Sequence, residues 1–188
     1  EEIFQWTQSI ENTPNVATNI TIQFKNGIPV SINNQSLSPA QLVIQANKLA
    51  GENGIGRIDI MEDRMMGLKV RENYECPGSV LLLKAHKALE NLVLTRDEIR
   101  FKQVVDLEWS KLAYEGLWWD PFKTDLECFI DNTQKRVTGE VHLKLFKGQA
   151  IITGRSSKWA LYSEDLASFD STTFNQSEST GSVKNFGL

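Results

Sequence analysis

The alternation of hydrophobic and polar positions predicts strands near both ends of the chain. Residues 19–33 place hydrophobic side chains at every second position on either side of an Asn-Gly dipeptide. That pattern is typical of an antiparallel hairpin with a type I′ turn. Residues 136–153 return to the period of two, which predicts a second hairpin. A third pair of strands is predicted at about 56–61 and 66–71, joined around Asp63-Arg64-Met65.

A period of about 3.6 residues predicts helices in the remaining segments. The clearest spans residues 38–51, where Ser38 suits the N-cap and Pro39 the first helical position. Its apolar stripe is predicted to consist of Leu42, Val43, Ala46, Leu49 and Ala50. Three further helices are predicted to begin near Pro77, Thr95 and Asp120. The hairpins require antiparallel pairing, so the sequence predicts an α+β fold of antiparallel hairpins packed with a helical block.

The domain organisation follows from where the chain can bury a core. Residues 1–18 are polar and are predicted to form an N-terminal arm or linker. Residues 19–169 carry the periodic segments and form the expected domain. Residues 170–188 are rich in Ser, Thr and Asn, so we expect an extended C-terminal arm.

Composition and charge exclude several classes of function. The chain has 20 Lys and Arg against 24 Asp and Glu, a net charge of −4, without a basic run. Because sequence-independent binding to nucleic acid needs a concentrated positive patch, no nucleic-acid partner is expected. The apolar stretches are too short to cross a bilayer, and the N-terminus does not resemble a signal peptide. We therefore expect a cytoplasmic protein without membrane partners.

Most of the residues that could carry chemistry are better explained as structural features than as catalytic or binding sites. The glycine-rich stretch 51–56 lacks the Lys-Ser/Thr end of a phosphate loop and precedes a strand, so a plain loop is expected. His86 and His142 lack a second ligand at metal spacing, so no metal site is expected. Cys128 is predicted to be a core residue. The tryptophans between residues 109 and 119 are read as core or subunit interface more readily than as a ligand platform.

The segment 57–75 raises a sharper question, because charges of both signs are interleaved with apolar residues. Within it, Glu62 and Tyr74 form a candidate binding pair. A carboxylate accepts hydrogen bonds from an ammonium group, and a phenol both donates and accepts, so together they suit a zwitterionic small molecule. A solvated charged hairpin without a ligand remains the alternative.

The same segment resembles the argininosuccinate synthase family. The resemblance rests on Gly54-Ile-Gly-Arg-Ile-Asp-Ile-x-Glu62-x-Arg64, then Gly67-x-Lys69-x-Arg71, then Tyr74-Glu75-x-Pro77-Gly78. Later segments agree in order: Lys147-Gly148-Gln149, Thr153-Gly154-Arg155-Ser156-Ser157, the run 161–166 and Thr180-Gly181. The resemblance extends over nearly the whole chain.

The resemblance implies a reaction and a site. Members of the family condense citrulline with aspartate using ATP and Mg²⁺: the ureido oxygen of citrulline attacks the α-phosphate, and the aspartate amine then displaces AMP. The family's citrulline-binding Glu and Tyr correspond to Glu62 and Tyr74. By the same resemblance, residues 19–169 are a catalytic and multimerisation domain, residues 170–188 an oligomerisation arm, and the protein a homotetramer.

The chain also departs from the family pattern. It contains no Gly-Gly pair, so the family's Ser-Gly-Gly-x-Asp-x-Ser loop is not in it. The resemblance therefore covers the C-terminal half, with ATP bound mainly by the other half, and we expect the 188 residues alone to be inactive. Cys76 stands where Thr is expected. An alternative function is a non-catalytic module of similar fold that mediates oligomerisation or senses amino acids.

Overall fold

The computed structural model describes residues 2–167, 175, 177 and 179–186. A short 3₁₀ turn at Ile10–Asn12 precedes the first strand. The strands are β1 (Thr18–Lys25), β2 (Ile28–Ile32), β3 (Gln35–Ser36), β4 (Arg57–Asp63), β5 (Lys69–Glu75), β6 (Gly139–Phe146) and β7 (Gln149–Ser156). The helices are α1 (Pro39–Glu52), α2 (Pro77–Val93), α3 (Arg96–Tyr114), α4 (Pro121–Gln134), α5 (Glu164–Ala167) and α6 (Ser179–Asn185).

The main sheet has five antiparallel strands in the order β3-β2-β1-β6-β7. Asn26 and Gly27 join β1 to β2 with φ angles of 51° and 79°, the left-handed conformation that a type I′ turn requires. The predicted first hairpin is therefore confirmed. Strand β1 also pairs with β6, from Thr18 opposite Leu145 to Phe24 opposite Gly139. This pairing joins the first and last hairpins into one sheet.

The hydrophobic core lies between one face of this sheet and helices α1 and α2. Strand alternation turns one set of side chains toward these helices. The fully buried side chains include Ile22, Ile32, Leu42, Leu81, Leu89, Val141, Leu143 and Leu145. The Ser38 capping box that starts α1 is present as predicted. The α+β class with antiparallel hairpins and a helical block is confirmed.

Helix α3 packs against α4 and is linked to α2 by a buried cation. The Nζ atom of Lys102 on α3 lies 3.3 Å from Glu90 on α2 and 2.7 Å from Asp106. Thr95 and Glu98 form the capping box that starts α3. Within the part of the chain that the structure describes, none of the helices is long and apolar enough to cross a membrane.

Several sequence-based expectations require correction. Val43 was placed on the buried stripe of α1, but its side chain is 47% exposed because the stripe facing α2 and the sheet is narrower than the apolar pattern. Cys128 was expected in the core and is exposed. In the predicted arm 170–188, Ser179–Asn185 form α6, and residues 170–174, 176, 178, 187 and 188 lie outside the described residues. The proposed domain boundaries stay predictions.

Candidate functional site

The predicted charged hairpin forms a separate two-stranded sheet, which we call the ribbon (β4 and β5). Its strands were predicted at about 56–61 and 66–71, and both extend further toward the C-terminus. The reason is the size of the connection: the amide of Arg64 donates to the carbonyl of Leu68 at 2.8 Å, closing a loop wider than a tight turn. Glu62 and Tyr74 consequently lie within the paired strands rather than at the turn and beyond it.

One face of the ribbon, its front face, brings the two candidate residues together. Tyr74 lies opposite Ile58, and Glu62 lies four residues further along β4, so strand alternation places both on the same face. The Tyr74 hydroxyl donates toward both carboxylate oxygens of Glu62, each at 3.3 Å. Glu72 shares this face, and Arg64 reaches it from the loop. A carboxylate and a phenol therefore meet as the binding hypothesis requires.

The environment raises the pKa of the Tyr74 phenol. Partial desolvation is the largest cause, and the negative charge of Glu62 is the next, because it opposes a second negative charge nearby. Glu72 acts in the same direction, whereas Arg64 acts against it. The phenol therefore stays a hydrogen-bond donor at neutral pH.

The back face of the ribbon carries two cross-strand ion pairs. Arg71 holds Asp59 through two hydrogen bonds of 2.9 and 2.6 Å, and Lys69 contacts Asp63 at 2.7 Å. The hydrogen bond from Arg71 lowers the pKa of Asp59. Both pairs connect β4 to β5. The charges of this segment thus have two locations, with cross-strand pairs behind and the candidate site in front.

The back face also holds the N-terminal segment through Glu75. Its carboxylate accepts hydrogen bonds from the backbone amides of Gln5, Trp6 and Thr7 at 2.7 to 2.9 Å, and from the Thr7 hydroxyl at 2.6 Å. Burial raises the pKa of Glu75, but these four hydrogen bonds outweigh it and hold the pKa below its ordinary value. Pattern analysis missed this role, since backbone amides some 70 residues away leave no signal in the sequence.

Arg57 and Gly56 complete the attachment of the ribbon. The Arg57 guanidinium donates to the hydroxyl and carbonyl of Thr7 and lies 4.1 Å from the centre of the Phe4 ring. The carbonyl of Gly56 accepts from the amide of Cys76 at 2.8 Å, where α2 begins. Gly56 has a φ of 110°, and a Cβ there would lie 2.3 Å from Pro77. Only glycine fits this junction.

The glycine-rich stretch does not fit a nucleotide. A Cβ on Gly51 would lie 2.2 Å from the Trp6 carbonyl, and one on Gly54 would lie 3.1 Å from the Gln8 carbonyl. These glycines therefore allow the N-terminal segment to pass close to the end of α1. Their space is filled by this chain, so the stretch is a plain loop and not a phosphate cradle.

Both histidines contact polar side chains of this chain. Nδ1 of His142 lies 2.9 Å from the Thr21 hydroxyl, and Nε2 of His86 lies 2.8 Å from Gln134. Cys76 precedes α2 as its N-cap residue, but its side chain makes no capping hydrogen bond there. Among the described residues, no group of three His, Cys, Asp or Glu side chains is arranged to hold a metal ion.

The aromatic residues cluster on the α3–α4 helices. Trp109 and Trp118 meet edge to face with centroids 6.0 Å apart, and the buried Lys123 ammonium lies 4.2 Å from the Trp118 ring centre. Trp119 points outward and is 91% exposed. Trp109, Trp118 and Lys123 thus form a contact between the helices, with Trp118 still half exposed and Trp119 in solvent.

Comparison with known families follows the same motifs. The family profile described as "Arginosuccinate synthase C-terminal domain" matches residues 1–188. The chain belongs to this family. Argininosuccinate synthase of Methanocaldococcus jannaschii is 56% identical over 189 residues, covering 100% of this chain and 47% of the relative. The corresponding protein of Methanosarcina mazei is 52% identical, with 100% and 48% covered. That of Pyrococcus furiosus is 47% identical, with 100% and 46% covered.

The match covers the whole of this chain but only part of each relative. The chain spans about half the length of the curated relatives it matches, and the matched part is their C-terminal half. The matched region includes the whole ribbon, from Gly56 to Cys76. The comparison therefore places Glu62 and Tyr74 inside the shared domain.

Proposed function

We propose that this domain is the C-terminal part of an argininosuccinate synthase, and that its ribbon holds citrulline. The observation that carries the proposal is the meeting of Glu62 and Tyr74 on the front face, with the phenol 3.3 Å from both carboxylate oxygens. The relatives that match the whole chain are named argininosuccinate synthase. The full-length protein would be an ATP-dependent ligase of arginine biosynthesis that condenses citrulline with aspartate.

The chemistry of the pair suits the amino-acid end of citrulline. Among the described residues, the polar contacts to the Glu62 carboxylate are long, with Tyr74 at 3.3 Å and Arg64 at 3.6 Å. An ammonium donates shorter, charge-assisted hydrogen bonds and would bind there in preference. The Tyr74 oxygen retains an acceptor site for the same ligand. The ureido group, where bonds change, lies at the other end of citrulline.

We expect the two halves of the enzyme to bind different substrates. Its glycine-rich loop does not fit phosphate groups, so ATP and Mg²⁺ would be bound mainly by the preceding half of the enzyme. We therefore expect no ligase activity from the 188 residues alone. We also expect the full-length enzyme to act in the cytoplasm, with neither nucleic acid nor membrane as a partner.

The central test is Glu62→Gln in the full-length enzyme, made as the natural polypeptide or by joining this domain to the preceding half of the Methanosarcina mazei relative. Glutamine keeps the size but removes the charge, a loss of about 1.5–3 kcal/mol for a charge-assisted hydrogen bond. The KM for citrulline should rise about tenfold to hundredfold. Because the ammonium lies far from the reacting atoms, kcat should change little.

Steady-state kinetics with each substrate varied in turn provides the readout. Tyr74→Phe should raise the citrulline KM less than Glu62→Gln, since it removes one hydroxyl and keeps the ring. Glu140→Gln on β6 is the matched control and should change none of the three KM values. Equal changes for citrulline, ATP and aspartate, or none for citrulline, would refute the assignment and favour a non-catalytic module.

The helical block supports a second part of the proposal, a homotetramer with subunit contacts on α3 and α4. Large apolar side chains are exposed together on and between these helices, as is typical of an interaction surface. They are Phe101, Val104, Leu107, Trp118, Trp119 and Phe122. Such a surface fits a second copy of the same chain. Light scattering should show a tetramer that Trp119→Asp weakens and Val16→Asp leaves intact; a monomer at micromolar concentration contradicts the proposal.

A further inference from the structure

The front face of the ribbon holds a second carboxylate that the binding hypothesis does not use. Glu72 lies opposite Ile60, between the positions of Glu62 and Tyr74. Its carboxylate is bound by Arg64, whose Nη2 donates to Oε1 at 2.5 Å. The other terminal nitrogen of the same guanidinium lies 3.6 Å from Glu62. One cation is thus shared unequally between two carboxylates.

The unequal sharing matters because Arg64 competes with any ammonium ligand for Glu62. A guanidinium binds a carboxylate best through two parallel hydrogen bonds. Arg64 is 50% exposed and sits on the hairpin loop, so it has room to turn toward either partner. In the structure its short hydrogen bond goes to Glu72, and its contact with Glu62 is longer than a hydrogen bond.

We propose that Glu72 is a positioning residue that holds Arg64 away from Glu62 and so keeps the Glu62 carboxylate open to the ligand's ammonium. This inference rests on the proposed function, because it takes Glu62 as the ammonium site. Glu72 acts through Arg64 and does not itself contact the ligand. Without the charge on Glu72, the guanidinium closes onto Glu62 and occupies the site.

The structural contrast with the back face supports this assignment. There, Asp59 and Asp63 each have one basic partner, as in the pair of Asp63 and Lys69 at 2.7 Å. On the front face two acids face one base, and within the described part of the chain Glu62, at 22% exposure, has no polar contact shorter than 3.3 Å. The excess negative charge lies where a cationic group of a ligand is expected.

The test compares five variants of the full-length enzyme, Glu62→Gln among them, with the KM for citrulline, ATP and aspartate measured for each. Glu72→Gln should raise the citrulline KM about two- to fivefold, the range of a partly exposed ion pair. Arg64→Met should leave that KM unchanged or lower it, since the competitor is gone. The double variant Arg64→Met/Glu72→Gln should return to the value of Arg64→Met. Glu140→Gln, on β6 and outside the ribbon, is the control and should change nothing.

Each other outcome overturns the inference in a recognisable way. If Glu72 touched the ligand, the double variant would stay as poor as Glu72→Gln. If the ion pair only stabilised the hairpin, Arg64→Met and Glu72→Gln would be equally harmful. The Glu62→Gln variant in the same series separates the two levels: no effect there refutes the proposed function, whereas a large effect there without rescue by Arg64→Met refutes only the role of Glu72.

Discussion

The contact of Glu75 with the N-terminal segment permits a quantitative prediction. The Glu75→Gln variant keeps one oxygen that can accept from Trp6 and Thr7, but it replaces the oxygen that accepts from Gln5 with an NH₂ donor. The change therefore removes one charge-assisted hydrogen bond, turns two donors toward each other and weakens the remaining bonds. The expected loss is about 1.5–3 kcal/mol in the free energy that holds the segment to the ribbon.

Hydrogen exchange measures this local free energy directly. The amides of residues 5–7 are protected by Glu75, so their exchange should be about tenfold to hundredfold faster in the variant. Amides in the centre of α2 should be unchanged, because the core between α2 and the main sheet is not altered. Glu108→Gln is the matched control, since Glu108 lies 3.9 Å from Lys111 on an exposed helix face.

The stabilisation of the N-terminal segment by Glu75 should depend on pH in a defined direction. The folded state lowers the pKa of Glu75 below its ordinary value, so the ionised carboxylate stabilises the attached segment at neutral pH. This contribution is complete above the ordinary glutamate pKa and is lost as pH falls through the lowered value. The difference between wild type and variant should therefore be largest near neutral pH and vanish in acid. An equal difference at both pH values, or unchanged exchange at residues 5–7, would refute the reasoning.

Two further predictions concern the ribbon. Gly56→Ala should destabilise the protein severely, because its Cβ would lie 2.3 Å from the Pro77 backbone, whereas Gly67→Ala, with φ of 79° and open space, should cost only about 1 kcal/mol in thermal unfolding. Glu62→Gln should lower the pKa of Tyr74, since a neighbouring negative charge raises it. An NMR titration of labelled tyrosine, assigned with Tyr74→Phe, measures this shift, and an unchanged pKa contradicts the contact.

Local features of the fold were predictable because local rules determine them. Asn26-Gly27 specifies its turn through backbone conformation alone, and Ser38 specifies the start of α1 through a hydrogen bond to Gln41. The pairing of β1 with β6 was not predictable, since it joins residues more than 100 positions apart. The exposure of Val43 was missed for the same reason: which part of an apolar stripe is covered depends on the partner that covers it.

The candidate site was also predictable only in part. The resemblance to the family identified Glu62 and Tyr74. Their contact, however, depends on strands that end two to four residues beyond the ends predicted from the sequence. The roles of Glu75 and Arg57 were missed, because their partners are backbone groups and a hydroxyl of the N-terminal segment. A charged residue bound to a side chain of opposite charge leaves a pattern, whereas one bound to backbone does not.

The register of the ribbon explains why so many charges are needed in so short a segment. A two-stranded ribbon has little core of its own, so burial does not fix which residues lie opposite each other. A slip of one residue would turn Glu62 to the face opposite Tyr74 and would separate both back-face pairs, Asp59 with Arg71 and Asp63 with Lys69. The back-face ion pairs therefore favour the one register in which the front-face carboxylate and phenol meet. Glu75 then fixes the same ribbon to the body of the domain, so that specifying the register also specifies the site.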